Sequence, residues 1–266
     1  MSLLAISFDW NLFLDRIFHP DGVFLRAVAL TVEIAVVAQI IGVLIGLVTA
    51  LARLSSIAPL RALAIGYALL IRGTPVLVQV FFLYYGANLF LGIDLFPKSL
   101  DVALFSVNGA VVAGIAALAI NEGAYMSEII RSGIQSIPVG QIEASKSLGM
   151  SPALTMRRVV LPQAARVIVP PLGNQFNGML KTTSLLFFIG VYEMFADAQV
   201  HYATTFKAAE YFGAVAVWYL LLTGVWSVMQ YLIERRLSVS VRDQGMRRPW
   251  LRPMWLTNIF SERDAR

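Results

Sequence analysis

Twenty-three consecutive residues, Tyr211 to Ile233, carry no charge. A helix of about 20 apolar residues crosses the hydrocarbon core of a bilayer. Within that core every backbone N–H and C=O must find its partner in the chain, which a helix provides. This run constrains the fold more than any other stretch, and it has company. Val102 to Asn121 is uncharged and continues towards Arg131. Ile34 to Ala52 extends upstream through Glu33 towards Gly22, and Val167 to Val191 is interrupted only by Lys181. Gly73 to Ile93 is also uncharged, and Thr74-Pro75 reads as an N-cap followed by proline at the first helical position. The apolar stretch Ala62 to Ile71 is too short to cross alone. It is either an interfacial helix or the first half of a helix broken at Gly73–Pro75.

The expected fold is therefore an all-α multi-pass membrane protein with five transmembrane helices. Composition agrees: of 266 residues 58% are hydrophobic and 14% charged, with a mean hydropathy of +0.71. Soluble domains carry about 25% charged residues, so a water-covered domain, a disordered chain and a coiled coil are all excluded.

Lysine and arginine set the direction of insertion. Arg53, Arg61 and Arg72 follow the first span, and Arg131, Lys146, Arg157, Arg158 and Arg166 follow the third. Arg235, Arg236, Arg242, Arg247, Arg248, Arg252, Arg263 and Arg266 follow the last. Sixteen of 21 basic residues thus share one side, against Arg16, Lys98 and Lys207 on the other. The asymmetry places the N-terminus outside and the C-terminus in the cytoplasm. It also accounts for a net charge of +5 without nucleic acid. The N-terminus has no basic stretch and no small-residue cleavage site, so it reads as mature chain. With no cysteine and only His19 and His201, far apart, no thiolate or histidine metal site is expected, which leaves carboxylates as the remaining source of ligands, and no metal-binding residues are assigned.

The segment from Ser136 to Ala164 is the most informative. Pro138 is placed to open a helix running to Leu148, and Gly149 suits the left-handed position that ends one. Ser151-Pro152 repeats the cap-and-proline start, and Pro162 is expected to stop the second helix. Ile142, Ala144 and Leu148 offer a small apolar face to a partner. Within this unit Glu143-Ala144-Ser145, Gly149, Val159, Leu161 and Pro162 stand at the spacing Glu-Ala-Ala, three residues, Gly, nine residues, Ile, one residue, Leu-Pro. That pattern resembles the coupling motif of permease subunits of binding-protein-dependent ABC importers, with Ser145 and Val159 as departures. IRGTPVLVQVFFLYYG at 71–86, GAYMSEIIRSGIQSIP at 123–138 and GNQFNGMLKTTSLLFFIGVYEM at 173–194 resemble its polar amino-acid branch, which serves histidine, glutamine, glutamate, arginine and opines.

The resemblance covers roughly residues 22 to 236. It implies an extracytoplasmic segment at 1–21, a permease domain at 22–236 with a cytoplasmic coupling loop at about 136–166, and a basic cytoplasmic tail at 237–266. It further implies docking of the loop on a cytoplasmic ABC ATPase dimer, a second permease copy or a homologous permease, an extracytoplasmic solute-binding protein and residence in the cell membrane. The chain itself contains no GxxxxGK[ST] run. ATP and Mg are expected on the partner ATPase, and no cofactor is expected on this chain. The plainer alternative for the loop is a surface helix pair in which Glu143 meets Lys146 or Ser147.

Ionisable residues inside spans are costly and mark functional sites by default. Asn121, Tyr125, Glu128 and Ser132 share one helical face, and Asn174, Asn177, Lys181 and Ser184 share another. Glu122 lies about 100° from Asn121. These residues, with Arg72 either as a partner for a ligand carboxylate or as an ordinary charge at the cytoplasmic edge, form the candidate substrate pathway. The alternative for the stripes is helix–helix adhesion, with Lys181 paired to Glu128. Arg26 and Glu33 read as an internal or interfacial pair, and Trp218 and Trp226 as packing residues. The leading function is import of a polar amino acid driven by a separate ATPase. The runner-up is a proton-coupled secondary transporter that titrates Glu122 or Glu128 and uses the Gly73–Pro75 break as its discontinuous helix. An intramembrane enzyme is weaker, for want of a convergent catalytic group.

Overall fold

The computed structural model describes residues 8–97, 99–102 and 105–242. Among the described residues three helices are long and apolar enough to cross a membrane: α2 (Gly22–Leu54), α6 (Gly109–Gln135) and α11 (Ala208–Arg242), the last apolar as far as Leu237. Two bent pairs of segments raise the number to five if each pair is one span. The first joins α3 (Ala58–Arg72) to α4 (Val76–Phe81) and its π-helical continuation Phe82–Gly86, with a bend of 107°. The second joins the stretch Pro152–Ile189 to α10 (Met194–Thr205), with a bend of 50°. The order is completed by α1 (Trp10–Phe18), α5 (Ala87–Leu91), α7 (Val139–Ser147), α8 (Pro152–Thr155) and α9 (Leu161–Thr182).

The centre of the bundle is the seam between α2 and α6. Gly42 and Gly46, one turn apart on α2, let the two backbones approach closely. A Cβ on Gly46 would fall 2.4 Å from the Met126 Cβ, and one on Gly42 would fall 2.7 Å from the Glu122 Cβ. Ile34, Ala35, Ala38, Ala113, Ala117 and Leu118 extend this seam as a core with almost no exposure. Helix α11 is peripheral, and Leu220, Val225, Val228 and Leu232 stand exposed on it, as expected of a face turned to lipid. It is fastened to α9 by Trp226, whose Nε1 donates to the Gly173 carbonyl at 2.8 Å. Helix α1 lies against α11. Its N-cap Asp9 accepts from Leu12 N and pairs with Lys207 Nζ at 2.7 Å, while Asp9 N donates to Glu210 Oε1. The Lys207 ammonium holds the Asp9 carboxyl below the usual carboxylate range.

Several expectations need correction. The third span does not start at Val102. Residues Ser99–Val102 (β1) and Phe105–Asn108 (β2) form an antiparallel pair, Ser99 opposite Asn108 and Val102 opposite Phe105, so the fold is not wholly α. Asn108 then caps α6 by accepting from Ala110 N at 2.8 Å, which starts the helix at Gly109. Thr74 does not cap α4. Its hydroxyl donates backwards to the Leu70 carbonyl at 3.0 Å, closing α3 instead. Pro162 does not stop a helix. A π-helical turn at Met156–Val160 precedes it, and the chain runs on into α9 with Pro162 in the first turn. The helix is continuous here, and the wider π-helical turn before it accommodates the ring and the missing N–H. Arg26 and Glu33 are both exposed and form no ion pair; two turns separate them by about 10 Å. The last helix continues to Arg242, past the start of the expected tail. Residues 243–266 of that tail and residues 1–7 of the N-terminal segment lie outside the described residues.

Candidate functional site

A cavity of about 420 Å³ opens at the α3–α4 corner. Thr74, Pro75 and Val76 line it from the corner, Leu118, Asn121, Glu122 and Tyr125 from α6, and Gln175, Gly178, Met179 and Thr182 from α9. Asn121, Glu122 and Tyr125 are thus brought together as the sequence suggested. Asn121 Nδ2 donates to Gln79 Oε1 at 2.9 Å. The Gln79 amide in turn donates to the Ile71 carbonyl at 2.7 Å and to the Thr74 hydroxyl at 2.8 Å. One amide chain therefore fixes the corner to α6. Glu122 is only 4% exposed. Gln39 Nε2 donates to its Oε1 at 2.9 Å, and Gln175 Nε2 reaches its Oε2 at 3.5 Å. Two amide N–H groups are directed at this carboxyl, so both of its oxygens have a partner in the low-dielectric interior. Hydrogen bonds of this kind inside membranes contribute about 0.6 kcal/mol each on average.

The α9 stripe does not join this site. Asn177 Nδ2 donates to Ser227 Oγ at 3.2 Å, and Asn174 Oδ1 accepts from Gln230 Nε2 at 3.4 Å, so both face α11. Lys181 is exposed, and Ser184 Oγ turns back to the Lys181 carbonyl. The cavity is lined instead by the neighbouring stripe Gln175, Gly178 and Thr182, one residue or about 100° round the helix. Lys181 is no partner of Glu128. That carboxylate lies one turn beyond the cavity among three arginines. Its Oε2 accepts from Arg53 Nη1 at 2.7 Å and lies 3.7 Å from Arg72 Nη1, and its Oε1 accepts from Arg131 Nη2. Ser132 is exposed and bonded to the Ile129 carbonyl.

The loop between α6 and α9 folds as a helix–Gly–helix unit. Gly149 has φ 73°, where an L side chain is strained. Met150 N donates to the Ser145 carbonyl and Gly149 N to the Lys146 carbonyl, the paired bonds of a Schellman ending. Ser151 caps α8 by accepting from Leu154 N. Ser145 and Thr155 are buried, with hydroxyls 3.0 Å apart, so the serine that departs from the motif is answered by a threonine on the facing helix. Glu143 and Ala144 are exposed, and Glu143 forms no ion pair with Lys146; Ser147 Oγ bonds only its backbone carbonyl. Val159 is half-buried, while Leu161 and Pro162 are exposed. Ile142 packs inward against Ile137, Val160 and Ala164 instead of joining a docking face. The most exposed apolar groups of the unit are Leu148, 82% exposed, and Val139, with Leu154, Met156 and Leu161 less so.

Four participants were not anticipated. Gln39 and Gln79 are uncharged, yet each is a lone amide in an apolar run, which is the signal that finds them; Gln175 stands between Asn174 and Asn177, where periodicity alone does not single it out. Glu193 is fully buried, caps α10 through Ala196 N at 2.9 Å, and accepts from Tyr219 Oη at 3.1 Å, tying α10 to α11.

The arginine transport system permease protein ArgU of Corynebacterium glutamicum is 36% identical over 230 residues, 86% of this chain and 72% of that protein. The L-cystine transport system permease protein TcyB of Bacillus subtilis is 38% identical over 236 residues, 88% of this chain and 94% of that protein. The glutamine transport system permease protein GlnP of Escherichia coli K12 is 35% identical over 234 residues, 88% of this chain and 100% of that protein. A crystal structure of an amino acid ABC transporter with histidines matches with a TM-score of 0.74 and 37% identity, covering 87% of this chain and 100% of that one. The proton-coupled alternative finds no support among these relatives. A family model matches residues 42–239, and the chain belongs to the family it describes, the binding-protein-dependent transport system inner membrane components.

Proposed function

We propose that this membrane component carries a polar amino acid inward through the cavity at the α3–α4 corner, with Asn121, Glu122 and Tyr125 facing the solute. The observation that carries this reading is a polar cavity at a broken helix, built from α6 and α9, with a buried carboxyl in its wall. The relatives named for arginine, cystine and glutamine support the substrate class. The α7–Gly149–α8 unit docks on a cytoplasmic ATPase dimer that holds ATP and Mg; this chain holds neither. Solute arrives on an extracytoplasmic binding protein, and a second permease, identical or homologous, completes the pathway. Five spans put the N-terminus outside and the C-terminus in the cytoplasm.

Reconstitution in liposomes tests the proposal. Uptake is expected only with ATP, the ATPase and the binding protein present, and a proton gradient alone drives none. Glu122→Gln keeps the volume of the side chain and removes its charge. Uptake of a cationic amino acid should fall at least several-fold with assembly intact. Unchanged uptake, or loss of assembly, makes Glu122 a structural group.

A further inference from the structure

One carboxylate, Glu128, faces three guanidinium groups, so the cluster carries a net charge of +2. The three are not held alike. Arg53 is bonded at 2.7 Å and also reaches Ser127 Oγ, and Arg131 bonds both Glu128 and Gln135. Arg72 sits at 3.7 Å, beyond hydrogen-bonding reach, and its side chain is 42% exposed. Its guanidinium lies over the ring of Tyr125, 5.5 Å from the centroid. Tyr125 lines the cavity, as do Thr74 and Pro75 just after Arg72 in the chain. Arg72 itself does not line the cavity; the loosest cation of an over-positive cluster therefore lies just behind the wall, on the aromatic ring that forms part of it, a setting that orients a planar guanidinium.

We propose that Arg72 is the cation that recognises a solute carboxylate in this cavity, and that Glu128 is its resident placeholder. A carboxylate entering the cavity takes Arg72 into a hydrogen-bonded pair, and Glu128 keeps Arg53 and Arg131. The exchange replaces a 3.7 Å Coulomb contact by charge-assisted bonds, which are stronger. It also spreads the excess positive charge over two anions. Tyr125 and Glu128 act as positioning residues. This inference rests on the reading of the cavity as the solute path.

The chain has no cysteine, so a single Thr182→Cys places one thiol in the cavity wall. Maleimide labelling of that thiol in nanodiscs, without binding protein, reads occupancy. The probes are L-arginine, L-glutamine, L-glutamate and L-histidine, each beside its α-carboxamide. The free acids are expected to protect the thiol better than the amides. Arg72→Gln should raise the half-protecting concentration of the best acid about tenfold or more and leave its amide unchanged, with Arg72→Lys in between. Glu128→Gln should lower the concentration for the acid. Acid and amide shifting together under Arg72→Gln would overturn the assignment of Arg72 while leaving the cavity reading intact. Absence of protection by every probe would overturn the cavity reading and the proposal with it. If Glu128→Gln fails to fold, the Gln and Lys variants of the half-exposed Arg72 decide the matter.

Discussion

Gly46→Ala should loosen the bundle at its centre. The added methyl would meet the Met126 Cβ at 2.4 Å and the backbone of Met126 and Ser127 at 3.0 Å. Comfortable carbon–carbon contacts begin near 3.5 Å, so α2 and α6 must part by about 1 Å. None of these atoms belongs to the flexible end of a side chain, and rotation cannot relieve the clash. Overpacking of this kind typically costs about 1–3 kcal/mol, and the rigid neighbours place this site at the upper end. The seam is bordered by the Gln39–Glu122 bond on one side and the Arg53–Glu128 pair on the other, so separation weakens both. Thermal unfolding in detergent, followed by tryptophan fluorescence, reads the loss. Gly224→Ala is the control: its Cβ meets nothing within 4 Å in the interior of α11. There an alanine should add up to about 1 kcal/mol through helix propensity. In a double-mutant cycle Gly46→Ala should cost less when Met126 is also glycine. Equal or higher unfolding temperatures for Gly46→Ala would refute the close seam.

Gly149→Asp should abolish ATP-driven uptake while the protein remains inserted. Nothing lies within 4 Å of a Cβ there, so the fold loses only the strain of positive φ, about 1–2 kcal/mol, and Gly149→Ala separates that strain from the effect of the charge on docking. A reporter fused after Arg242 should be cytoplasmic and one inserted near Asp94 exposed outside; a cytoplasmic result at Asp94 would refute the five-span arrangement. The Asp9–Lys207 pair should fasten α1 across the neutral range. Asp9 is lowered in the folded state, so its contribution is complete above about pH 3.9 and is lost as pH falls through the lowered value. Lys207 is raised, so its contribution is complete below about pH 10.4 and is lost as pH rises through the raised value. Hydrogen-exchange protection factors in α1, with the intrinsic pH dependence of exchange divided out, should stay flat between those limits, and a loss of protection near pH 7 that persists with His19 and His201 replaced by Gln would contradict the pairing.

Hydropathy made the spans legible because burial in lipid demands long apolar helices whatever their packing. It was blind to the β1–β2 pair for the same reason: Val102 to Val107 is uncharged and looks like helix. The Gly73–Pro75 break was visible, while its angle depends on Gln79 and Asn121, a contact 42 residues apart. Pro162 was misread because a proline ends a helix only where its ring and missing N–H are left unaccommodated, and the π-helical turn accommodates both. On α9 periodicity gave the one stripe Asn174, Asn177, Lys181 and Ser184. Only tertiary packing decides which face meets α6, and it turns the neighbouring Gln175, Gly178 and Thr182 to the cavity. Arg53, Arg72 and Arg131 were counted for direction of insertion, a use that says nothing of where their guanidinium groups converge.

The cavity and the docking unit are joined by rigid connections on both sides of the loop. Helix α6 runs unbroken from Gly109 to Gln135, carrying Asn121, Glu122 and Tyr125 and then the Glu128 cluster, and α7 begins three residues after its end. From Asn121 to Gln135 the rise is about 21 Å. On the return side α8, the π-helical turn and α9 follow one another without a break and lead to Gln175, Gly178 and Thr182 in the opposite wall. Both walls of the cavity are thus levers that start at the docking unit. If the unit docks on an ATPase as proposed, its displacement would move Glu122 and Gln175 relative to the α3–α4 corner without passing through any loop longer than Ser136–Pro138 or Leu148–Ser151. A charge at Gly149 and a methyl at Gly46 should therefore damage transport in different ways: the first leaves solute protection of the cavity thiol intact, and the second disturbs it.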